Sequence, residues 1–545
     1  MGIYLNPEFY EFEETISSDI YIDKTLLIEE LNKFIGTKQK YICVSRPRRF
    51  GKTMAMEMLS AYYSYGLNSK ALFEGFKISR NKDTFYKHIN SYDVIKLNII
   101  EFMSVAKGDV EKLLKELSQN IIDEIMETYP EAKYKDKTNI MRVMRDAFIF
   151  TKRKFVILID EWDCLFREYE NDVTGHKEYL DFLRNWLKDQ PFVGLAYMTG
   201  ILPIKKYGVH SALNMFDEYS MNNPGVLAQF FGFTETEVND LCDSYNLDFQ
   251  QCKEWYDGYV LKSVCWNSDS KVYERERYEI YNPLSVAKSV KNGEFKNYWN
   301  KTETYEALKR YILLNMDGLR EIIIGLIAGD RVKIDISSFS NDMTTFSCVD
   351  DVITLLIHLG YLGYDDDTKE VFVPNNEIRS EFAVSIKGDE SWKIISEAIK
   401  KSDELLEATL QMNGEAVAAA IEKAHFETSI LQYNDENALS YVISLAYYSA
   451  RRKYCIFREM PLGKGFADMV FLPLPKFSDL PAMIVELKWD HDTTTALDQI
   501  RNNKYCDALK EYSGDVLLVG INYEKKANGK NIKRHQCKIE RMSLK

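Results

Sequence analysis

The run SRPRRFGKT, Ser45 to Thr53, constrains the fold more than any other part of the chain. It joins an apolar strand-like stretch, Lys40 to Val44, to a helix-like one, Lys52 to Tyr63. A strand that turns through glycine into Lys-Thr at a helix start is a phosphate-gripping arrangement. Loop amides surround the anion, the lysine reaches the β- and γ-oxygens, and the threonine hydroxyl binds magnesium. Gly51, Lys52 and Thr53 supply the second half of G-x-x-x-x-G-K-[ST], while Arg46 stands in the first glycine's place, where a side chain can call for a different backbone angle. The plainer alternative is a basic loop ahead of an amphipathic helix. Arg48 and Arg49 either touch phosphates or face solvent.

A second signal narrows the choice. FVILI, Phe155 to Ile159, reads as a buried strand ending on Asp160 and Glu161. A carboxylate at that strand end can hold the magnesium, and its neighbour can polarise an attacking water. The run Val193 to Met198 ends on Thr199, which either contacts the γ-phosphate or the water, or simply closes a strand. Strands alternating with helical segments predict a parallel α/β sheet with its chemistry at the strands' carboxyl ends.

At 545 residues the chain is too long for one core, and ~150 residues per domain gives two to four domains. Residues 1–225 are expected to form the phosphate-binding α/β domain, 226–424 a mostly helical connecting region, and 425–545 a small α/β domain with elements in the order α-β-β-β-α-β. With 46% hydrophobic and 28% charged residues the chain is neither mainly disordered nor collagen-like. Its densest apolar run, Ile322 to Ile327, falls far short of the ~18 residues of a membrane helix, and the start, MGIYLNPEFYEFEE, lacks a basic leader region. A cytoplasmic protein with no membrane partner is expected. Nine scattered cysteines without a C-x-x-C pair argue for reduced thiols. The net charge of -13 disfavours coating nucleic acid with the whole surface. From Ile521 onward, however, eight basic residues face two acidic ones, either a local phosphate contact or a solvated charged end.

A second chemical centre lies near the carboxyl end. Asp468 sits in GFADMVFL, and AMIVELK closes on Glu486 and Lys488. Side chains two apart on a strand share a face, so Glu486 and Lys488 point the same way, and an adjacent strand can bring Asp468 to them. Two hard oxygen ligands and an ammonium that orients water are the parts of magnesium-assisted phosphodiester hydrolysis. Glu436 is a candidate third ligand. The alternative is a salt-bridged surface pair. Glu459 reads as a strand-end charge and His491 as a solvated loop residue.

Together the two centres resemble, over nearly the full length, the bacterial and archaeal family that joins a predicted AAA-type ATPase-like domain to a PD-(D/E)XK nuclease domain. The residues that carry this are Tyr21 to Thr25 (YIDKT), Arg46 to Thr53, Ile159 to Asp163 (IDEWD), Thr199 to Ile201, Tyr256 to Tyr259 (YDGY), Tyr281 to Pro283, Pro374 to Glu377 (PNNE), Gly465 to Asp468, Glu486 to Lys488, and Gln499 with Ile500. In that family the loop itself carries arginine at the position of Arg46. The resemblance implies ATP binding along the loop Arg46, Pro47, Arg48, Arg49, Phe50, Gly51, Lys52 and Thr53, with Asp160 and Thr199, and Glu161 as the hydrolytic residue. It also implies a restriction-endonuclease-like C-terminal domain with a Mg2+ site at Glu436, Asp468, Glu486 and Lys488. One departure stands out: Phe466 occupies the place of the family's arginine before Ala-Asp. The expected function is therefore an ATPase coupled to a magnesium-dependent nuclease acting on nucleic acid, expected to be DNA, with homo-oligomerisation open. Its rival is a nucleotide-controlled switch that binds DNA or protein through an inactive nuclease-like domain.

Overall fold

The computed structural model describes residues 2–204, 213–267, 271–299, 304–314, 316, 318–340, 346–387, 392–427, 443–462, 465–474, 477–489, 493–502, 514–524 and 534–543. They fall into two compact units that do not follow chain order: Met1–Leu319 with Val332–Arg379, and Arg320–Arg331 with Ser380–Lys545.

The first unit is built on a five-stranded sheet of β1 (Tyr41–Ser45), β2 (Asp93–Asn98), β3 (Phe155–Asp160), β4 (Val193–Gly200) and β5 (Asp217–Tyr219), in the order β2-β3-β4-β1-β5. Every adjacent pair is parallel. Each residue of β1, β3 and β4 is buried, as expected of central strands covered on both faces and written as unbroken apolar runs. The helix Lys52–Tyr63 lays Met56, Leu59 and Tyr62 on one face, against Val44, Leu158 and Tyr197. The register aligns Val44 with Thr199 and Ile159 with Met198, so β1, β4 and β3 end side by side and Thr199 falls between the loop and Asp160.

The middle of the chain holds the expected helices, among them Glu235–Tyr245, Pro283–Asn292 and Val349–His358, but also two small sheets. One consists of β6 (Phe233–Thr234), β7 (Tyr259–Asn267) and β8 (Val272–Tyr281); the other of β9 (Val332–Lys333), β10 (Gly363–Asp365) and β11 (Glu370–Phe372). In this section the helical reading overlooked a hairpin, whose strand β8 runs from exposed at Val272 to buried at Tyr281 without a period of two to mark it.

Motifs distant in sequence meet in this unit. Asn375 Nδ2 donates to the Asp257 carbonyl at 2.7 Å, and the buried Glu377 carboxylate accepts from Ser285 Oγ at 2.7 Å and from the amides of Tyr298 and Trp299 at 2.7 and 3.1 Å. Gly258 (φ 111°) lies against the Pro374 carbonyl, which a Cβ there would approach to 2.4 Å. In YIDKT, Asp23 accepts from the Thr25 hydroxyl at 2.6 Å and the Lys77 amide at 2.7 Å, while Lys24 reaches the Gln229 carbonyl and Glu237, both at 2.7 Å. These residues tie the amino-terminal segment to the body.

The second unit carries a five-stranded sheet, β12 (Tyr454–Leu462), β13 (Gly465–Pro473), β14 (Ala482–Trp489), β15 (Asp515–Glu524) and β16 (Arg534–Ser543), hydrogen-bonded in sequence order. Only the β14–β15 pair is parallel. One face packs Met469, Val485 and Val519 against Leu405, Val417 and Ile421 of the helices Lys393–Leu410 and Gly414–Glu427. The other packs Val470, Ile484 and Leu518 against Leu497 and Ile500 of the helix Thr493–Asn502. Part of the basic tail is β16, paired antiparallel with β15 from Asp515↔Ser543 to Glu524↔Arg534, with the basic side chains of Lys538 and Arg541 exposed. Among the described residues no helix is long and apolar enough to cross a membrane.

Candidate functional site

In the first unit the chemistry collects where β1, β4 and β3 end. Gly51 has φ 84°, a left-handed angle that suits glycine, and it delivers the chain into the helix at Lys52. That helix runs 12 residues, and its first amides and positive dipole end form an anion seat. Lys52 is only 5% exposed; its Nζ donates to the carbonyls of Arg46 and Pro47, each at 3.0 Å. Burial pulls its pKa below the usual lysine value, opposed by the charges of Glu161, Asp160 and Asp163. Thr53 Oγ1 donates to Asp160 Oδ2 at 2.8 Å, while Asp160 Oδ1 accepts from the Thr199 hydroxyl and, at 2.9 Å, from the Glu161 amide. Thr53, Asp160 and Thr199, 146 positions apart at their extremes, thus form one hydrogen-bonded row.

The rest of the loop is braced. The Arg46 amide donates to the Gly200 carbonyl at 3.1 Å, and its fully buried guanidinium lies over Phe231 with Nη1 bonded to the carbonyls of Ser45 and Tyr219. Burial takes its pKa down to about 10. Arg46 therefore acts as a strut behind the turn. Pro47 has no amide hydrogen to offer a phosphate, and it packs against Gly360. Phe50 sets its ring edge-on to Tyr259 at 5.4 Å, and its carbonyl accepts the Gly232 amide at 3.0 Å. Arg49, at φ 70°, is half-buried; burial lowers its pKa and the nearby Glu377 carboxylate opposes that shift. Arg48 is also half-buried.

Glu161 follows Asp160 with φ 51° and pairs with Arg167. Burial raises its pKa, and the charges of Arg167 and Lys52 work against the rise. The sequence reading singled out neither this role of Asp163 nor Arg167. Asp163 Oδ2 accepts the amides of Ile201 and Leu202 at 3.0 and 2.7 Å and pairs with Arg167 Nε at 3.2 Å. The available signal was the i, i+4 spacing of Asp163 and Arg167. Gly200 is required here because a Cβ would come within 2.6 Å of Asp163 Oδ1.

In the second unit the β13–β14 ladder runs from Phe471↔Met483 to Met469↔Val485. Just beyond it, Asp468 Oδ2 accepts the Leu487 amide at 2.6 Å, and Lys488 Nζ donates to Glu486 Oε1 at 3.2 Å. The fold therefore brings Asp468, Glu486 and Lys488 together. Glu486 is 1% exposed, and burial first and the Asp468 charge second push its pKa up to about 7, with Lys488 opposing. Its Oε2 is buried without a hydrogen-bond partner. Two adjoining carboxylates, one with an unsatisfied buried oxygen, are a donor set that suits a hard divalent cation. Among the described residues, however, no group of three or more His, Cys, Asp or Glu is arranged to hold a metal, and Glu436 lies outside those residues, as does His491. Across the β14–β15 pairing Glu486 faces Gly520, which adds no side chain, and Lys488 faces Asn522. Phe466, two residues before Asp468 and so on the same strand face, is 65% exposed.

Residues 9–210 match the model of the family described as Predicted AAA-ATPase. The match contains the loop, the Asp160–Glu161 pair and Thr199, so residues 9–210 are similar to a predicted AAA-type ATPase domain. Over 294 residues the chain is 25% identical to an uncharacterized protein in the vnfD 5' region of Azotobacter chroococcum mcd 1, an alignment covering 52% of this chain and 51% of that protein. The chain spans about half the length of this relative.

Proposed function

We propose that the chain hydrolyses ATP in its first unit and uses the nucleotide cycle to govern a magnesium-dependent phosphodiesterase centre in its second unit, acting on DNA. The observation that carries the first half is the row Thr53–Asp160–Thr199 beside Lys52, formed where three parallel strands end. Nucleotide arrival would exchange the two loop carbonyls on Lys52 for β- and γ-phosphate oxygens, a stronger charge-assisted contact. Thr53 and Asp160 are the residues that would hold Mg2+, which supplies neutralisation of phosphate charge. Glu161 accepts a hydrogen bond from the attacking water and Thr199 steadies the same region. An apolar cavity beside Gly51 and Met54, lined by Phe12, Tyr21, Ile22 and Phe233, is the seat offered to the base.

The second half is supported by the meeting of Asp468, Glu486 and Lys488. Asp468 and Glu486 would hold Mg2+, and Lys488 orients the water that attacks the phosphodiester. The raised pKa of Glu486 fits a carboxylate pair made to share a cation. The second reading, a nucleotide-controlled switch with an inactive nuclease-like domain, is favoured by Phe466, where an arginine would otherwise meet the scissile phosphate.

Purified protein incubated with plasmid, magnesium and ATP separates the two. Cleavage that EDTA stops and Lys488→Ala lacks supports the nuclease. Binding without cleavage of DNA or RNA, in magnesium and in manganese, supports the switch.

A further inference from the structure

Glu161, the acid assigned to the attacking water, is held by a chain of buried charges. Its Oε2 pairs with Arg167 Nη2, and Arg167 Nε continues to Asp163 Oδ2 at 3.2 Å. Asp163 is fully buried and is fixed in turn by the amides of Ile201 and Leu202, just past the end of β4. The Arg167 side chain is 6% exposed although it sits on a helix of only five residues, Cys164–Glu168. A buried guanidinium is costly unless its planar fork is matched by carboxylates, and here two carboxylates match it. Among the described residues no hydrogen bond reaches the other Glu161 oxygen, Oε1. The Glu161 backbone adopts the left-handed region, which non-glycine residues seldom do, so a side-chain tether has an angle to hold as well as a charge.

We propose that Arg167 is a positioning residue for ATP hydrolysis: gripping Glu161 through Oε2 and Asp163 through its second nitrogen, it aims Oε1 at the attacking water and ties that aim to the end of β4, where Thr199 sits. The inference rests on Glu161 being the acid that polarises the water. It adds that the placement of this acid is set by a residue that touches neither nucleotide nor water, and that Arg167 adds a further link between the ends of β3 and β4 to the direct Thr199–Asp160 hydrogen bond.

The test compares the full chain with Arg167→Gln, Arg167→Lys and Glu161→Gln. Phosphate release gives kcat and KM, a fluorescent ATP analogue gives Kd, and thermal melting monitors the fold. Misplacing a reacting group by about 1 Å costs up to about 100-fold in rate, so Arg167→Gln should lower kcat about 10- to 100-fold, with KM and Kd within about threefold of the parent. Arg167→Lys, which keeps a charge but not the fork, should recover part of kcat at unchanged Kd. If Arg167→Gln fails to fold, Arg167→Lys decides: reduced kcat at parental Kd supports the inference, and parental kcat overturns it. Parental kcat in Arg167→Gln, or kcat and Kd worsening together, also overturns it, and if Glu161→Gln is inactive in the same series the reading of Glu161 stands. Full turnover by Glu161→Gln refutes that reading, and the inference with it.

Discussion

Replacing Lys52 by methionine keeps an unbranched side chain against the loop and removes the ammonium. In the structure that ammonium makes two 3.0 Å contacts, to the carbonyls of Arg46 and Pro47, in a setting that excludes nearly all solvent. When nucleotide binds, the same donors turn to phosphate oxygens. A hydrogen bond made by a charged group nets roughly 1.5–3 kcal/mol, with an ammonium–carbonyl contact at the lower end of that span and an ammonium–phosphate contact, which joins two full charges, at the upper. Two charge-assisted bonds gained in place of two ammonium–carbonyl contacts given up leave a difference of about 3 kcal/mol, and each 1.4 kcal/mol is tenfold, so Lys52→Met should weaken ATP binding on the order of 100-fold. The folded state loses a desolvated cation along with its two carbonyl contacts, so the melting temperature should move by no more than about 2–4 °C, the shift expected from ~1 kcal/mol in a domain of roughly 150–250 residues. Titration calorimetry with magnesium and ATP measures the affinity, and melting without nucleotide measures the fold. A Kd within threefold of the parent, with the fold intact, would refute the assignment of Lys52 as a phosphate ligand.

Other outcomes follow from the same geometry. Burial pushes the Asp257 carboxyl up to about 7, so the folded state holds a proton that the unfolded chain, titrating near 3.9, has lost. Stability tied to this group is present at acid pH and falls as pH rises towards 7; in urea titrations Asp257→Asn should remove on the order of 2 kcal/mol of the loss between pH 5 and 8, and an identical slope in both proteins would contradict this. Glu377→Ala strips the partner from Ser285 Oγ and two amides, and should cost about 3 kcal/mol; less than 1 kcal/mol would show that the contacts are replaceable. Phe466→Arg restores a cation beside Asp468 and should tighten binding to a DNA oligonucleotide while steepening its salt dependence by about one unit of slope, measured by anisotropy. An unchanged slope would place Phe466 away from the nucleic-acid path.

The parallel sheet was legible because YICV, FVILI and VGLAYM are unbroken apolar runs, and such runs end where parallel sheets keep their chemistry. Strand order was not, since nothing local says that β4 lies between β1 and β3; that placement is what seats Thr199 against Asp160. The period of two on β14 put Glu486 and Lys488 on one face, but the turning of Asp468 to the Leu487 amide depends on where the β13–β14 ladder stops. By its place in the loop Arg46 stood only where a first glycine is usual, and the fold alone reveals its buried guanidinium lying over Phe231 with Nη1 bonded to two carbonyls. Arg167 eluded the sequence because its link to Glu161 spans six residues through a left-handed turn, a spacing that neither helical nor strand periodicity flags.

The most direct test measures ATP turnover and DNA cleavage side by side on the purified chain and on Asp468→Ala. Two separate centres require that the variant keep its ATP turnover and lose cleavage. Loss of both activities together, or cleavage that survives without Asp468, would contradict the account.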